Sequence, residues 1–284
     1  MTEVAGAQRE MRPLPTLSAL QTRVIVAVVG TLIALAGVGW FWTVHVAGDM
    51  ASMSMGIGQA GLLMPADLSA PVFMLMWLAM MVAMMFPAIG PMVLVHRLVT
   101  RKRGESVRVS ATFVAGYLIV WTAIGLIPLA AILALDNVSM HSVAPAWAVG
   151  ASGAILIVAG LYQFSPVKNV CLRHCRSPLD FILTHDFGRG WRSALRAGVS
   201  HGAYCVGCCW ALMAVLVVVG LMNLVWMAAL ALVFLAEKNL RGGVVVSRLA
   251  GVAVAGLGIA VLLVPRVLLT LSNTHAVTGL ISHT

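Results

Sequence analysis

Residues 73–92 read FMLMWLAMMVAMMFPAIGPM, a run without one charged side chain. A hydrocarbon core about 30 Å thick is crossed by about 20 apolar residues, so this stretch predicts a membrane-spanning helix. Similar runs recur along the chain, and the candidate spans are roughly 23–46, 70–97, 109–135, 144–164, 195–219, 223–239 and 244–264. Only Gly220 to Asn223 separate the fifth from the sixth. One helix over 195–239 would be too long even for a tilted span, so a tight turn is expected near Gly220. Composition agrees: 61% of residues are hydrophobic and 10% charged, where a soluble domain carries about a quarter. The expected fold is all-α, a polytopic transmembrane helix bundle of about seven helices over 23–264. Short tails flank it at 1–22 and 265–284, and no soluble domain or internal repeat is visible.

The basic residues orient this bundle. They cluster before the first span (Arg9, Arg12, Arg23) and between the second and third (Arg97, Arg101, Lys102, Arg103, Arg108). Further clusters lie between the fourth and fifth (Lys168, Arg173, Arg176, Arg189, Arg192, Arg196) and the sixth and seventh (Lys238, Arg241, Arg248). Seven alternating spans put 17 of the 18 basic residues on one side and only Arg266 on the other. By the positive-inside rule the N-terminus is cytoplasmic, the tail from 265 is external, and the chain is a multi-pass protein of the cell membrane. The net charge of +9 thus reflects topology; no basic stretch is interleaved with base-stacking aromatics, so nucleic acid is not an expected partner. The bilayer is, and the basic loops favour anionic lipid. The first span is apolar over 24–44, too long for a cleaved signal peptide, and reads as a retained helix.

All five cysteines fall in two short segments, CLRHC at 171–175 and HGAYCVGCC at 201–209. On a helix His201, Cys205 and Cys208/Cys209 share one face and form a stripe of soft ligands. Cys171 and Cys175 have the i,i+4 spacing of one helical face, with His174 beside them. The topology places both segments toward the cytoplasmic boundary, the second in the first turns of the fifth span. Reducing conditions there disfavour structural disulfides and favour metal ligation or redox chemistry. Candidate metal ligands are therefore Cys171, Cys175, His201, Cys205, Cys208 and Cys209, with His174, Tyr204 and Glu237 as candidate partners of the ligands. For Glu237-Lys238, the favoured reading is a charged pair at the membrane interface, and the other is a carboxylate facing His201 or an arginine.

The second span holds seven of the chain's 17 methionines. At 100° per residue they form two stripes, Met76, Met80 and Met84 on one, and Met74, Met81, Met85 and Met92 on the other. Methionine is an adaptable apolar filler, and packing alone accounts for such stripes. A thioether is also a ligand for Cu(I), so Met76, Met80, Met84, Met81 and Met85 are a candidate ion path. Pro87 and Pro91 would loosen the helix nearer its cytoplasmic end. The preceding external loop, HVAGDMASMSM, adds His45, Asp49, Met50, Met53 and Met55 as a candidate capture site, with Met140 and His141 in a second outer loop. Incidental methionines in a polar connector are an equal reading.

Taken together, YQFSPVKNVCLRHCRSPLDF (162–181), GVSHGAYCVGCCWALM (198–213), GLMNLVWMAALALVFLAEKNL (220–240) and WLAMMVAMMFP (77–87) carry a resemblance. The chain resembles the family of predicted metal-binding integral membrane proteins, the domain of unknown function 2182, over about residues 70–260. The resemblance implies a helical membrane protein that binds metal, and leaves substrate and reaction open. Its motif falls here on Lys168, Cys171, Cys175, Arg176, Pro178, His201, Tyr204, Cys205, Cys208, Cys209, Trp210, Glu237 and Lys238.

Three functions remain open. The first is a metal-handling membrane protein, with copper favoured because of the methionines and zinc open at the Cys/His stripe. External methionines would capture Cu(I), the second span conduct it, and cytoplasmic thiolates exchange it with a metallochaperone or another membrane subunit. The second is a membrane thiol-disulfide redox protein using Cys205 and Cys208. The third is a structural or assembly subunit of a membrane complex. The chain shows no Ser/His/Asp arrangement, Walker loop or Gly-rich nucleotide fingerprint, which disfavours an enzyme.

Overall fold

The computed structural model describes residues 17–49, 70–136, 146–177, 189–221 and 223–272. Among them there is no β-strand. The helices are α1 (Leu17–Asp49), α2 (Ala70–Lys102), α3 (Val107–Asp136), α4 (Ala146–Tyr162), α5 (Pro166–Arg176), α6 (Trp191–Val219), α7 (Leu224–Asn239), α8 (Gly243–Leu263) and α9 (Arg266–Ser272). Each expected span coincides with a helix, and the all-α bundle stands.

Five helices are long and apolar enough to cross a membrane: α1, α2, α3, α6 and α8. α4 and α5, bent by 62° at the break between them, give a sixth if the pair is one span. α7 is shorter, and at 1.5 Å per residue its 16 residues reach about 24 Å, less than the hydrocarbon core.

Local chemistry sets the breaks. Gly220 ends α6 at φ 112°, a backbone region open to glycine, and Asn223 then caps α7, its side chain accepting from Trp226 N at 3.3 Å. The tight turn expected near Gly220 is therefore present. The connection between the fourth and fifth expected spans contains α5. Ser165 caps it by accepting from Lys168 N at 3.1 Å, and Pro166 takes the first helical position, where its missing N–H costs nothing. α6 starts at Trp191, earlier than its apolar run, because Gly190 at φ 89° is the break and exposed polar residues continue a helix beyond the membrane. The tail from 265 likewise opens with α9.

α2 and α6 form the interior. Phe73, Trp77, Met80, Met81, Met84, Met85, Ile89 and Met92 of α2 share one buried core with Cys205, Cys208, Leu212, Val215 and Val219 of α6, and α3 and α7 pack against both helices. α3 lies close to α6 because glycine leaves room: a Cβ on Gly116 would meet Leu195 O at 2.6 Å. The outer faces carry exposed Val26, Phe41, Leu232, Leu249 and Leu263, as expected of side chains that meet lipid.

Candidate metal centre

Cys205 stands at the midpoint of α6, so the cysteine cluster lies half-way along this helix and not in its first turns. Fourteen residues of α6 precede Cys205, about four turns at 3.6 residues per turn. Cys205, Cys208 and Cys209 point into the bundle, fully buried, and their sulfurs lie within 4.8 Å of one another. Cys208 Sγ is 3.4 Å from Cys209 Sγ and 3.7 Å from Cys175 Sγ, which α5 brings in from the side. These separations exceed a disulfide bond of about 2.05 Å, and all five thiols are free. The Cys208 thiol also donates to Cys205 O at 3.2 Å.

The remaining expected ligands flank this group. Cys171 is half-buried, one turn before Cys175, with its sulfur seated where a Cβ on Gly207 would come within 2.5 Å of it. Glycine at 207 is what lets α5 approach α6 so closely. Tyr162, the last residue of α4, donates to Gly207 O at 2.6 Å and ties that helix to α6 at the same point. His201 is buried one turn before Cys205, between the rings of Phe113 and Tyr117 at 5.9 and 6.0 Å, and outside the group of close sulfurs. His174 packs on Tyr204 with ring centres 4.4 Å apart.

Three side chains from other helices complete the pocket. Lys238 of α7 donates from Nζ to Cys205 Sγ at 3.0 Å and approaches Met85 Sδ of α2 at 3.8 Å. Tyr117 OH of α3 shares a hydrogen bond with Cys205 Sγ at 3.1 Å. Tyr117 went unnoticed in the sequence and Lys238 was read as interfacial. The available signal for both was a polar atom inside an apolar helix.

The interfacial reading of Glu237-Lys238 is overturned: Glu237 is 0% and Lys238 5% exposed. Adjacent helical positions differ by about 100°, so the two diverge. Lys238 faces α6, whereas Glu237 faces α5, where Lys168 Nζ donates to its two carboxylate oxygens at 2.9 and 3.0 Å. Lys168 also donates to Gln163 Oε1, and Ser247 Oγ stands 3.5 Å from that oxygen. Among the described residues the Lys168–Glu237 pair is the only salt bridge, so Glu237 partners neither His201 nor an arginine. It ties α5, and Cys175 with it, to α7.

Met76, Met80, Met81, Met84 and Met85 are all buried, at 3% exposure or less. They are covered because α2 is interior, while Met74 at the start of the second stripe is partly exposed. Met85 is the member whose sulfur meets the site. Of the external capture residues, His45 is exposed near the end of α1, where Phe41 stacks edge-on at 4.3 Å, and Asp49 closes that helix. Met50, Met53, Met55, Met140 and His141 lie outside the described residues.

Three clustered thiols, a fourth sulfur beside them and a thioether nearby make a donor set suited to a soft ion. Comparison with known proteins agrees in kind. No curated protein and no solved structure matches the chain. Residues 74–261, which include every cysteine, α2 from its second turn and Lys238, match the family described as PpoB2: Copper chaperone. With most of its length matched, this multi-pass, metal-handling chain belongs to the PpoB2 copper chaperone family.

Proposed function

We propose that this protein binds Cu(I) within its helix bundle and delivers it through the thiols of α5 and α6. The observation that carries the reading is the buried Cys205, Cys208, Cys209 group, with Cys175 Sγ 3.7 Å from Cys208 Sγ. Thiolates and thioethers select Cu(I) over hard cations, and two or three sulfurs satisfy it where zinc seeks four ligands in a tetrahedron. Cys205, Cys208 and Cys209 hold the ion, and Cys175 is the exchange ligand. Met85 is the end of the methionine path that starts from Met76 and runs through Met80, Met81 and Met84. Cys171, half-buried on α5, is the thiol a receiving partner reaches first. With the basic loops cytoplasmic, exchange occurs on that side, with a metallochaperone or a membrane-bound copper enzyme as recipient. No ATP motif is present in the sequence, so transfer is facilitated, ion-coupled or dependent on a partner.

The test is metal analysis of protein purified without oxygen. The expected result is near-stoichiometric copper, lost in C205S/C208S and retained in the exposed control W191F. Metal-free or zinc-loaded protein under copper-replete growth would overturn the proposal. Recovery of Cys205 or Cys208 in a mixed disulfide with a redox partner would select the thiol-disulfide reading instead.

A further inference from the structure

A groove of about 480 Å³ runs between α1, α2 and α3, away from the cysteine group. Its walls are apolar over most of their length, with Val28, Leu32, Phe86 and Val114 among them, and Arg23 and Arg97 stand together at one end. Gly39 of α1 packs on Ala79 and Ala83 of α2, and Leu32 packs on Gly90, so the two helices run antiparallel and Arg23 near the start of α1 lines the same end of the groove as Arg97 near the end of α2. From Arg23 to Leu35, the far end on α1, the helix rises about 18 Å at 1.5 Å per residue. Half of a hydrocarbon core is about 15 Å. The groove is therefore as long as one leaflet is deep, apolar along that depth and cationic at its mouth.

The other polar side chains lining it are engaged within the protein. Thr31 Oγ1 donates to Ala27 O at 2.7 Å, and Ser110 Oγ stands 3.3 Å from Thr100 Oγ1. Arg97 donates from Nη1 to Glu105 O at 3.2 Å, and the Glu105 carboxylate accepts from Gly190 N at 2.8 Å. Arg101, Lys102 and Arg103 follow on the same end of α2, so the mouth stays strongly positive with Glu105 counted.

We infer that this groove is a binding site for one anionic phospholipid, with an acyl chain between α1 and α3 and its phosphate at Arg23 and Arg97. A zwitterionic lipid fills the same groove but gains less from the two guanidinium groups, which bind phosphate in a planar, two-point geometry. The inference does not depend on which metal the cysteines hold. Basic pockets between spans on the cytoplasmic side favour anionic headgroups in general. This one adds a length that fits a single leaflet.

Native mass spectrometry of the full chain in detergent tests it, with phosphatidylglycerol and phosphatidylcholine supplied in equal amounts. The expected spectrum shows one phosphatidylglycerol retained per protein and phosphatidylcholine retained at least tenfold less. R23Q/R97Q should lower phosphatidylglycerol retention roughly tenfold. A111F, which places a ring in the exposed groove wall, should lower retention of both lipids. Should that variant fail to fold, the arginine pair still decides the matter, because neither arginine is fully buried. Equal retention of the two lipids, unchanged retention in R23Q/R97Q, or displacement by millimolar inorganic phosphate would overturn the proposal.

Discussion

Lys238 stands 3.0 Å from a cysteine sulfur, inside the protein, and the nearby carboxylate of Glu237 is already held by Lys168. A buried ammonium needs compensation, and here the polar atoms around it are a thiol group, a tyrosine hydroxyl and a thioether. It offsets the negative charge that the Cys205, Cys208 and Cys209 thiolates would carry around a single monovalent ion, and it holds Cys205 in one orientation. Replacing it by methionine keeps the apolar stem and removes the charge-assisted hydrogen bond, an interaction of about 1.5–3 kcal/mol. The expected consequence for K238M is Cu(I) affinity lower by roughly tenfold or more, measured by competition with a chromogenic Cu(I) chelator. K238R should keep part of that affinity, and an affinity equal to wild type in K238M would show that the lysine only packs. None of this was readable from position 238 alone. Its neighbour in sequence points elsewhere, and the partner that gives each its meaning lies on a different helix.

α5 illustrates how an element acquires its role. Its sequence carries the start signals of a helix, a capping Ser165 and Pro166, and its i,i+4 cysteines imply one face. What presses that face onto α6 is the Lys168–Glu237 pair with Gln163 on one side and the missing side chain of Gly207 on the other. Removing one charge of a buried pair strands the other, at a cost of about 3–5 kcal/mol, whereas replacing both by apolar groups is often neutral. E237Q is thus expected to lower thermal stability markedly and expose Cys175 to thiol-labelling reagents. K168M/E237M should recover most of the stability, followed by thermal unfolding in detergent. If E237Q unfolds at the wild-type temperature with Cys175 still protected, the pair does not hold α5. On α2, Met76, Met80, Met81, Met84 and Met85 are all covered by neighbouring helices, and sulfur contact with the site is made by Met85.

At the scale of the molecule, seven crossings would place 17 of the 18 basic residues on one side and the two flanks of the bundle on opposite faces. Five helices are long and apolar enough to cross, α4 with α5 gives a sixth if the pair is one span, and α7 is the shortest candidate, so the short elements decide the parity. A reporter active only in the cytoplasm should work at the N-terminus and fail at the C-terminus; activity at both ends would mean that α7 or the α4–α5 pair does not cross. The all-α membrane architecture, the turn at Gly220 and the gathering of cysteines on one helix face were decided by the sequence itself. Apolar length, glycine position and the 3.6-residue period are local properties and act wherever the chain goes. The depth of the cysteine group along α6, the separation of His201 from it and the inward turn of Glu237 and Lys238 were decided only by the tertiary structure. These depend on which helix packs against which, and a buried polar atom takes its function from the partner that packing supplies.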